Sequence, residues 1–257
     1  MTRYTDHHGP AGPRTRGTIV VVPGRGESRV TYTRLGKRLA ADAYRVRVTD
    51  APDLDPGDLA GSLRRFGAAL THAVEGTAAE DGVVHPVVLL GADTSAAAIA
   101  ALLGGPEPPA THLADAVVLA GLPGTRPAPA TGGDWDQELA VRTACPAHRA
   151  TLTGDAGVRR GALDGAAPSA LLAAAHGSAV SVPALLLVGD ADPLADREAL
   201  GGVAGAWGRA RLSVVRGARH DVLNDLQHRS VAAEIVTFLE TLRDGLVPVV
   251  AVESTSW

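Results

Sequence analysis

Short continuous apolar runs alternate along the chain with segments in which apolar residues recur at helical spacing. The runs that predict strands are TIVVVPG after Gly17, YRVRVTD up to Asp50, VVLLG at 87–91, LADAVVLAGL at 113–122, VPALLLVG at 182–189 and RLSVVRG at 211–217. The apolar positions that predict helices include Tyr32, Leu35, Leu39, Leu63, Phe66, Leu70, Val231, Ile235, Phe238 and Leu239. A run that is apolar at every position is typical of a strand buried on both faces. The alternation therefore predicts an α/β fold with a mostly parallel sheet flanked by helices.

The alternation is interrupted after the fourth predicted strand. Residues 123–180 contain no strand-like run, only a Pro/Gly-rich beginning, a helical stretch at about 135–152 and another near 171–175. A helical insertion over the end of a parallel sheet predicts a lid above a ligand site. The expected organisation is a flexible arm at 1–16, a core at 17–122, the lid at 123–180, the rest of the core at 181–245, and an apolar tail at 246–257.

Composition narrows the class of partner. The 257 residues carry a formal net charge of -4, with 46% hydrophobic and 20% charged residues. This balance offers no basic footprint for nucleic acid, and no segment has the length of apolar sequence that a membrane helix needs. We expect a cytoplasmic protein with a small-molecule substrate, no nucleic-acid partner and no membrane partner. The tail packs back on the body or meets a second subunit in a homodimer.

Metal and cofactor signatures are missing from the sequence. Cys145 is the only cysteine, so the chain can form neither an internal disulfide nor a thiolate metal cluster. The GRGE segment at 24–27 lacks the dinucleotide fingerprint Gly-x-Gly-x-x-Gly, and the His, Asp and Glu residues show no ligand spacing. We therefore expect no cofactor and no metal. Cys145 and His148 lie in the predicted lid, and we interpret them as a buried thiol and a helix-surface histidine.

Three polar residues follow predicted strands, at the sheet edge where open α/β sheets place their functional groups. Asp93 stands in the corner Gly91-Ala92-Asp93-Thr94-Ser95, where a strand feeds directly into an alanine-rich helix. Small residues around such a corner allow a tight, strained turn that projects the central side chain outward. The helix N-terminus beneath it favours negative charge, so Asp93 can be an ionised nucleophile; alternatively, it is a helix N-cap. Asp192 and His220 follow later strands, and each is also compatible with an ordinary loop role.

The order of these residues, elbow then acid then histidine, is that of α/β-hydrolases. The chain resembles this superfamily over about residues 17–242. The segment Pro23-Gly24-Arg25-Gly26-Glu27 is similar to the His-Gly-x-Gly-Glu loop of lysophospholipase-like and monoglyceride-lipase-like members. That resemblance implies an oxyanion hole built from the backbone N–H groups of Arg25 and Thr94. Pro23 replaces the histidine of the loop, and Asp93 replaces the usual serine of the elbow.

An elbow aspartate resembles the haloalkane and haloacetate dehalogenases and the epoxide hydrolases. The resemblance implies that Asp93 displaces a leaving group at a saturated carbon, and that His220, oriented by Asp192, activates water to hydrolyse the alkyl ester. The expected function is a hydrolase acting on a small, largely apolar substrate. The tyrosines that assist epoxide hydrolases and the Trp that follows the dehalogenase nucleophile have no counterpart here, which leaves Trp135 in the predicted lid as a candidate for binding substrate.

Three other interpretations remain open from the sequence. In the first, Ser95 acts as the nucleophile of a shifted elbow, although it stands where the second small residue of the motif belongs. In the second, Asp93 is a general base or electrostatic group in a lyase or cyclisation reaction. In the third, the chain is a catalytically silent ligand-binding protein with a hydrolase fold.

Overall fold

A seven-stranded sheet forms the centre of the computed structural model, which describes residues 4–80, 82–105, 113–125, 133–251 and 253. The strands are β1 (Thr5–His7), β2 (Thr18–Val22), β3 (Arg45–Val48), β4 (Val87–Ala92), β5 (Ala116–Ala120), β6 (Ala184–Gly189) and β7 (Ala210–Val215). Their spatial order is β1-β3-β2-β4-β5-β6-β7, with β1 antiparallel to β3 and every other pair parallel. The predicted mostly parallel sheet is confirmed.

Helices cover both faces of the sheet. They are α1 (Thr33–Ala41), α2 (Leu59–Glu75), α3 (Thr94–Leu103), α4 (Trp135–Arg142), α5 (Pro146–Gly154), α6 (Ser169–His176), α7 (Arg197–Ala206) and α8 (His228–Arg243). One core joins a sheet face to α2, α3, α6 and α7, and the other joins the opposite face to α1 and α8. Neighbouring residues of β2 divide between the two cores, Val20 to the first and Val21 to the second, because side chains alternate along a strand.

The β4–α3 connection lies at the middle of the sheet. Every residue of β4 is buried, as are Thr94 to Leu102 of α3. A helix that is apolar all round is stable only when it is surrounded by other elements. Here α3 packs against α6 as well as against the sheet, and this fixes the position of its first turn.

The flexible-arm prediction is wrong for Thr5–His7. These residues form an edge strand whose partners on β3 are Val48, Arg47 and Val46. Asp6 accepts two hydrogen bonds of 2.7 Å from the Arg47 guanidinium. Three polar residues have no apolar periodicity, so the pairing depends on β3 rather than on a pattern within the segment itself.

Helices occupy the segment between β5 and β6, as predicted, but they do not form one unit. The stretch predicted at about 135–152 is divided into α4 and α5, with α5 starting at Pro146. Leu171 and Leu172 of α6 are buried in the core beside α3, so α6 belongs to the layer that covers the sheet. The lid role of α4 and α5 stays a prediction.

The described part of the apolar tail lies on the surface. Val247, Val249 and Val250 are 59–75% exposed, so they do not pack back on the body of this chain. The homodimer stays a prediction. Within the described residues, no helix combines the length and the apolarity that crossing a bilayer requires.

Candidate active site

Asp93 lies at a strained corner between β4 and α3. Its backbone has φ 51° and ψ -126°, a conformation that residues with a side chain rarely adopt. Gly91 permits the tight turn, because a Cβ there would lie 2.7 Å from Ile99 Cδ1 and 2.9 Å from the Ala96 nitrogen. The corner thus has the backbone geometry of the elbow that the sequence predicted. Asp93 is the N-cap residue of α3 by position, but its side chain makes no capping hydrogen bond, so capping does not account for the carboxylate.

His220 and Asp192 form a buried hydrogen-bonded pair beside this corner. His220 Nδ1 lies 3.0 Å from Asp192 Oδ2, and Asp192 Oδ1 accepts a hydrogen bond of 2.9 Å from the Leu194 N–H. Gly121 allows the His220 backbone to approach β5, since a Cβ at that position would lie 2.8 Å from the His220 carbonyl oxygen. Asp192 therefore holds the imidazole in a fixed orientation.

The structure brings the three predicted residues together. His220 Nε2 lies 3.3 Å from Asp93 Oδ1. The direction of the Nε2–H bond does not meet hydrogen-bond geometry with any described acceptor, so this contact is an ion pair rather than an aligned hydrogen bond. Chain segments that are far apart in the sequence thus converge at the carboxyl ends of β4 and β6 and after β7.

Arg25 covers the Asp93 carboxylate. The guanidinium donates from Nε to Asp93 Oδ2 at 2.7 Å and from Nη2 to Asp93 Oδ1 at 3.0 Å. The Arg25 backbone N–H also donates to Asp93 Oδ2, at 3.0 Å, and Nη1 donates to the Gly165 carbonyl at 2.6 Å. From the sequence only the Arg25 backbone is a candidate, because nothing in the PGRGE segment shows where its side chain goes.

These contacts determine the charges of the site. Burial alone would raise the pKa of Asp93, but the Arg25 guanidinium and His220 outweigh it and hold the pKa of that carboxyl well below its usual range. Burial alone would lower the pKa of His220, but Asp192 and Asp93 together raise it to about 10. At neutral pH the site therefore holds two carboxylates, one imidazolium and one guanidinium, which balance in charge.

The oxyanion hole of the Arg25 and Thr94 N–H groups stays a prediction. The Arg25 N–H lies beside the elbow and donates to the Asp93 carboxylate itself. Thr94 is the first residue of α3, and its Oγ1 lies 3.5 Å from Asp93 Oδ2. The role of the Thr94 N–H stays a prediction.

Ser95 is turned away from the triad. Its side chain is fully buried, and Oγ donates a 2.5 Å hydrogen bond to the Pro23 carbonyl. The hydroxyl thereby ties the first turn of α3 to the loop after β2. This placement speaks against the shifted-serine interpretation, because the hydroxyl contacts neither His220 nor a cleft.

The remaining candidates lie in the segment between β5 and β6. The Trp135 indole donates to Thr153 Oγ1 at 3.1 Å and lies under the Arg160 guanidinium, so its contacts are within that segment and its substrate-binding role stays a prediction. Cys145 is a buried thiol, as interpreted. His148 is only 2% exposed, so the helix-surface interpretation is wrong. With Glu27 and Asp221 it forms a group that could hold a metal ion.

Little free space is present beside the triad. The described residues leave a cavity of about 10 Å³ that is lined by Asp93 and His220 and also by Glu27 and Asp221. A volume of this size holds about one water molecule. A larger cavity of about 450 Å³ lies between the loop after β3 and α2, lined by Thr49, Pro52, Arg65 and Phe66 among others, and does not include the triad.

Solved structures share this architecture at low sequence identity. No protein-family model matches the chain, and no curated protein sequence does either. The chain is similar to a soluble variant of the monoglyceride lipase of Saccharomyces cerevisiae bound to a substrate analogue, with a TM-score of 0.72 and 13% identity over 93% of this chain and 91% of that one. It is similar to the monoacylglycerol lipase of Paleococcus ferrophilus, with a TM-score of 0.68 and 16% identity over 93% and 98% of the two chains. It is also similar to an enol-lactonase from Burkholderia xenovorans, with a TM-score of 0.62 and 16% identity over 93% and 96%. The chain therefore has the α/β-hydrolase fold.

Proposed function

We propose that this protein is a cofactor-independent hydrolase that attacks a small, largely apolar substrate with the Asp93 carboxylate. The observation that carries the proposal is the contact between a strained elbow aspartate and a histidine that Asp192 orients, at 3.3 Å and 3.0 Å. Such strain persists only where the surrounding structure enforces it, and it is common at reactive positions. The structural relatives include lipases and a lactonase, which supports hydrolysis as the reaction class.

The negative charge of Asp93 makes it available as a nucleophile. In the described geometry the Arg25 guanidinium and His220 hold the pKa of that carboxyl well below its usual range, so it is ionised without a base to activate it. As a nucleophile, one carboxylate oxygen forms a C–O bond to a saturated carbon while the bond to the leaving group breaks. The leaving group departs with that electron pair, as a halide ion or as the alkoxide of an opened epoxide.

Ester formation then prepares His220 for the second step. Alkylation removes the negative charge of Asp93, which is one of the causes that raise the pKa of His220 to about 10. The imidazolium then gives up its proton, to the alkoxide when the substrate is an epoxide and to solvent when it is a halide. Neutral His220 takes a proton from water as the water oxygen bonds to the ester carbonyl carbon. The bond from that carbon to the alkyl oxygen then breaks, the alkoxide takes the proton back from His220 and leaves as an alcohol, and the Asp93 carboxylate is regenerated.

Arg25 has to leave Asp93 before this chemistry starts. Both carboxylate oxygens accept hydrogen bonds from its guanidinium, and the cavity beside them holds about one water. We interpret the described geometry as a resting state in which Arg25 covers the nucleophile. A substrate enters when the guanidinium swings away from the carboxylate.

Covalent trapping tests this proposal. The variant His220→Ala lacks the base for the second step, so incubation with 1,2-epoxyhexane, styrene oxide or 1-bromohexane is expected to leave an alkyl ester on Asp93. Intact mass and peptide mapping detect the adduct. The double variant Asp93→Asn with His220→Ala is the matched control and is expected to stay unmodified. A folded His220→Ala variant that accumulates no adduct on Asp93 with any of the three probes would contradict the proposal.

A catalytically silent binding protein is the second candidate. The observation that favours it is the complete pairing of Asp93 by Arg25 and His220 in a site with almost no free volume. Under this alternative the same probes leave every variant unmodified, and small apolar ligands bind and are recovered unchanged.

A further inference from the structure

A second buried charge cluster lies next to the triad, outside the chemistry proposed for it. It joins Glu27 on the loop after β2, His148 on α5 and Asp221 in the loop that carries His220. Glu27 and His148 are 9% and 2% exposed, and the Asp221 side chain is 4% exposed. One ligand atom from each of the three lies within 4.8 Å of the other two.

Glu27 has an oxygen that no described group satisfies. Its Oε2 accepts a hydrogen bond of 2.9 Å from the Gly24 N–H and another from the Tyr32 hydroxyl. Its Oε1 is buried and has no hydrogen-bond partner. Leaving a carboxylate oxygen unpaired away from water is costly, so native structures usually give such an atom a donor, a water or a cation.

The cluster also has an excess of negative charge. Glu27, Glu138 and Asp221 contribute three carboxylates, while Arg142 contributes the one guanidinium among them. Arg142 contacts Glu138 at 2.8 Å and Asp221 at 3.4 Å, and both partners are 4% exposed or less. Carboxyl groups thus outnumber the guanidinium three to one, an imbalance that a divalent cation would offset. The triad needs no such help, because Arg25 and His220 already balance its carboxylates.

The spacing of two of the groups suits a shared ion. His148 Nε2 and Asp221 Oδ2 lie 2.9 Å apart. Two ligand atoms about 2.1 Å from a metal ion lie about 3 Å apart at the right angle of octahedral coordination and about 3.4 Å apart at the tetrahedral angle that zinc prefers. One imidazole with two carboxylates is a donor set that suits zinc, manganese and similar divalent ions.

We propose that Glu27, His148 and Asp221 bind one divalent transition-metal ion, which holds α5 and the loop after β2 against the loop of His220. The ion takes the free oxygen of Glu27 and replaces the His148–Asp221 hydrogen bond with two metal bonds. Because Arg142 also donates to the Arg25 carbonyl at 2.7 Å, the bound ion stabilises the position of Arg25 over Asp93. The proposal does not depend on the reaction of Asp93.

Protons are the competitors for this site. Imidazole and carboxyl groups bind a metal ion in their deprotonated forms, so a proton and the ion exclude each other at Glu27, His148 and Asp221. Binding is expected to release protons and to tighten as the pH rises from 6 to 8.

Titration of the chelator-treated full-length protein with zinc chloride and with manganese chloride tests the proposal. Calorimetry is expected to show one site per chain, with affinity at least about tenfold weaker in Glu27→Gln and in His148→Gln. Cobalt chloride adds a spectroscopic readout, because Co²⁺ bound by imidazole and carboxylate absorbs visible light. His85→Gln is the matched control, since His85 forms a short histidine–carboxylate pair outside the cluster and the triad, with Asp115 at 2.6 Å on the surface.

Each outcome decides the proposal. One site that is lost in Glu27→Gln and His148→Gln and kept in His85→Gln supports it. No binding by the folded wild type, or binding lost only in His85→Gln, overturns it. Circular dichroism identifies a variant that fails to fold. In that event the isosteric Asp221→Asn takes its place, and unchanged affinity there also overturns the proposal.

Discussion

At the scale of single residues, Asp93 keeps a negative charge in a position that water hardly reaches. Its side chain is 6% exposed, and the Arg25 side chain that pairs with it is 15% exposed. Two guanidinium nitrogens and a backbone N–H replace the hydration that the carboxylate loses on burial. The ion pair therefore stabilises the charged form of the elbow rather than the fold in general.

Replacing Arg25 tests this dependence. We expect Arg25→Ala to lower the free energy of unfolding by about 3 kcal/mol, because it removes one partner of a buried ion pair. Stability should be largely restored in the double variant with Asp93→Asn, because no buried carboxylate then lacks a partner. Urea denaturation measures the free energy of unfolding of the two variants. Arg65→Ala, at an exposed pair with Asp58, is the control and should change stability little.

His220 makes the folded protein less stable as the pH becomes alkaline. Its pKa is raised to about 10 in the folded protein, so the folded state binds this proton more tightly than the unfolded chain, where the pKa is about 6.5. The resulting stabilisation is complete below about pH 6.5 and is lost as the pH rises toward 10. Urea denaturation between pH 6 and 10 should show this decline in the wild type. A decline of equal size in His220→Gln would contradict the assignment.

At the scale of elements, the hydrogen bond of Ser95 holds the elbow to the loop after β2. Ser95→Ala leaves the Pro23 carbonyl buried without its donor and should cost about 1 to 3 kcal/mol. It should not prevent alkylation of Asp93 in the His220→Ala background. Loss of the adduct in folded Ser95→Ala would instead indicate that the serine takes part in the chemistry.

Most of the core elements could be predicted because their signals are local. β2, β4, β5 and β6 are buried at every residue, so each is one continuous apolar run in the sequence. In α8, the predicted inward residues Val231, Ile235, Phe238 and Leu239 are all buried. The division of the predicted 135–152 helix at Thr143 was missed. There Asp225, from a distant loop, accepts hydrogen bonds from Thr143 and the Cys145 N–H.

At the scale of the whole molecule, β1 adds an edge strand to the sheet, and contacts with β3 hold it there. Asp6→Ala removes the bidentate partner of Arg47, whose side chain is 11% exposed, and should cost about 1 to 3 kcal/mol. Urea denaturation measures the loss. His8→Ala, just beyond the strand, is the control and should leave stability nearly unchanged. Equal effects of the two variants would mean that the ion pair does not hold β1.

The order of the candidate site residues along the chain could be predicted, but the charged groups that surround them could not. Asp93, Asp192 and His220 each follow a strand, and parallel strands bring their carboxyl ends to one edge. The path of the Arg25 side chain and the burial of His148 depend on how separate loops meet. No periodicity within either segment encodes those contacts, so neither the guanidinium over Asp93 nor the cluster around Asp221 has a signal in the sequence.

The origin of the oxygen in the product tests the central claim, that Asp93 is a nucleophile. The measurement is a single turnover of the wild type in ¹⁸O-labelled water, with enzyme in excess over a substrate that alkylates Asp93 in the trapping experiment. If Asp93 is the nucleophile, the alcohol carries no label and ¹⁸O enters the Asp93 carboxylate, where peptide mass spectrometry detects it, because water attacks the ester carbonyl. Label in the alcohol and none in Asp93 would contradict it, since water would then have attacked the substrate directly.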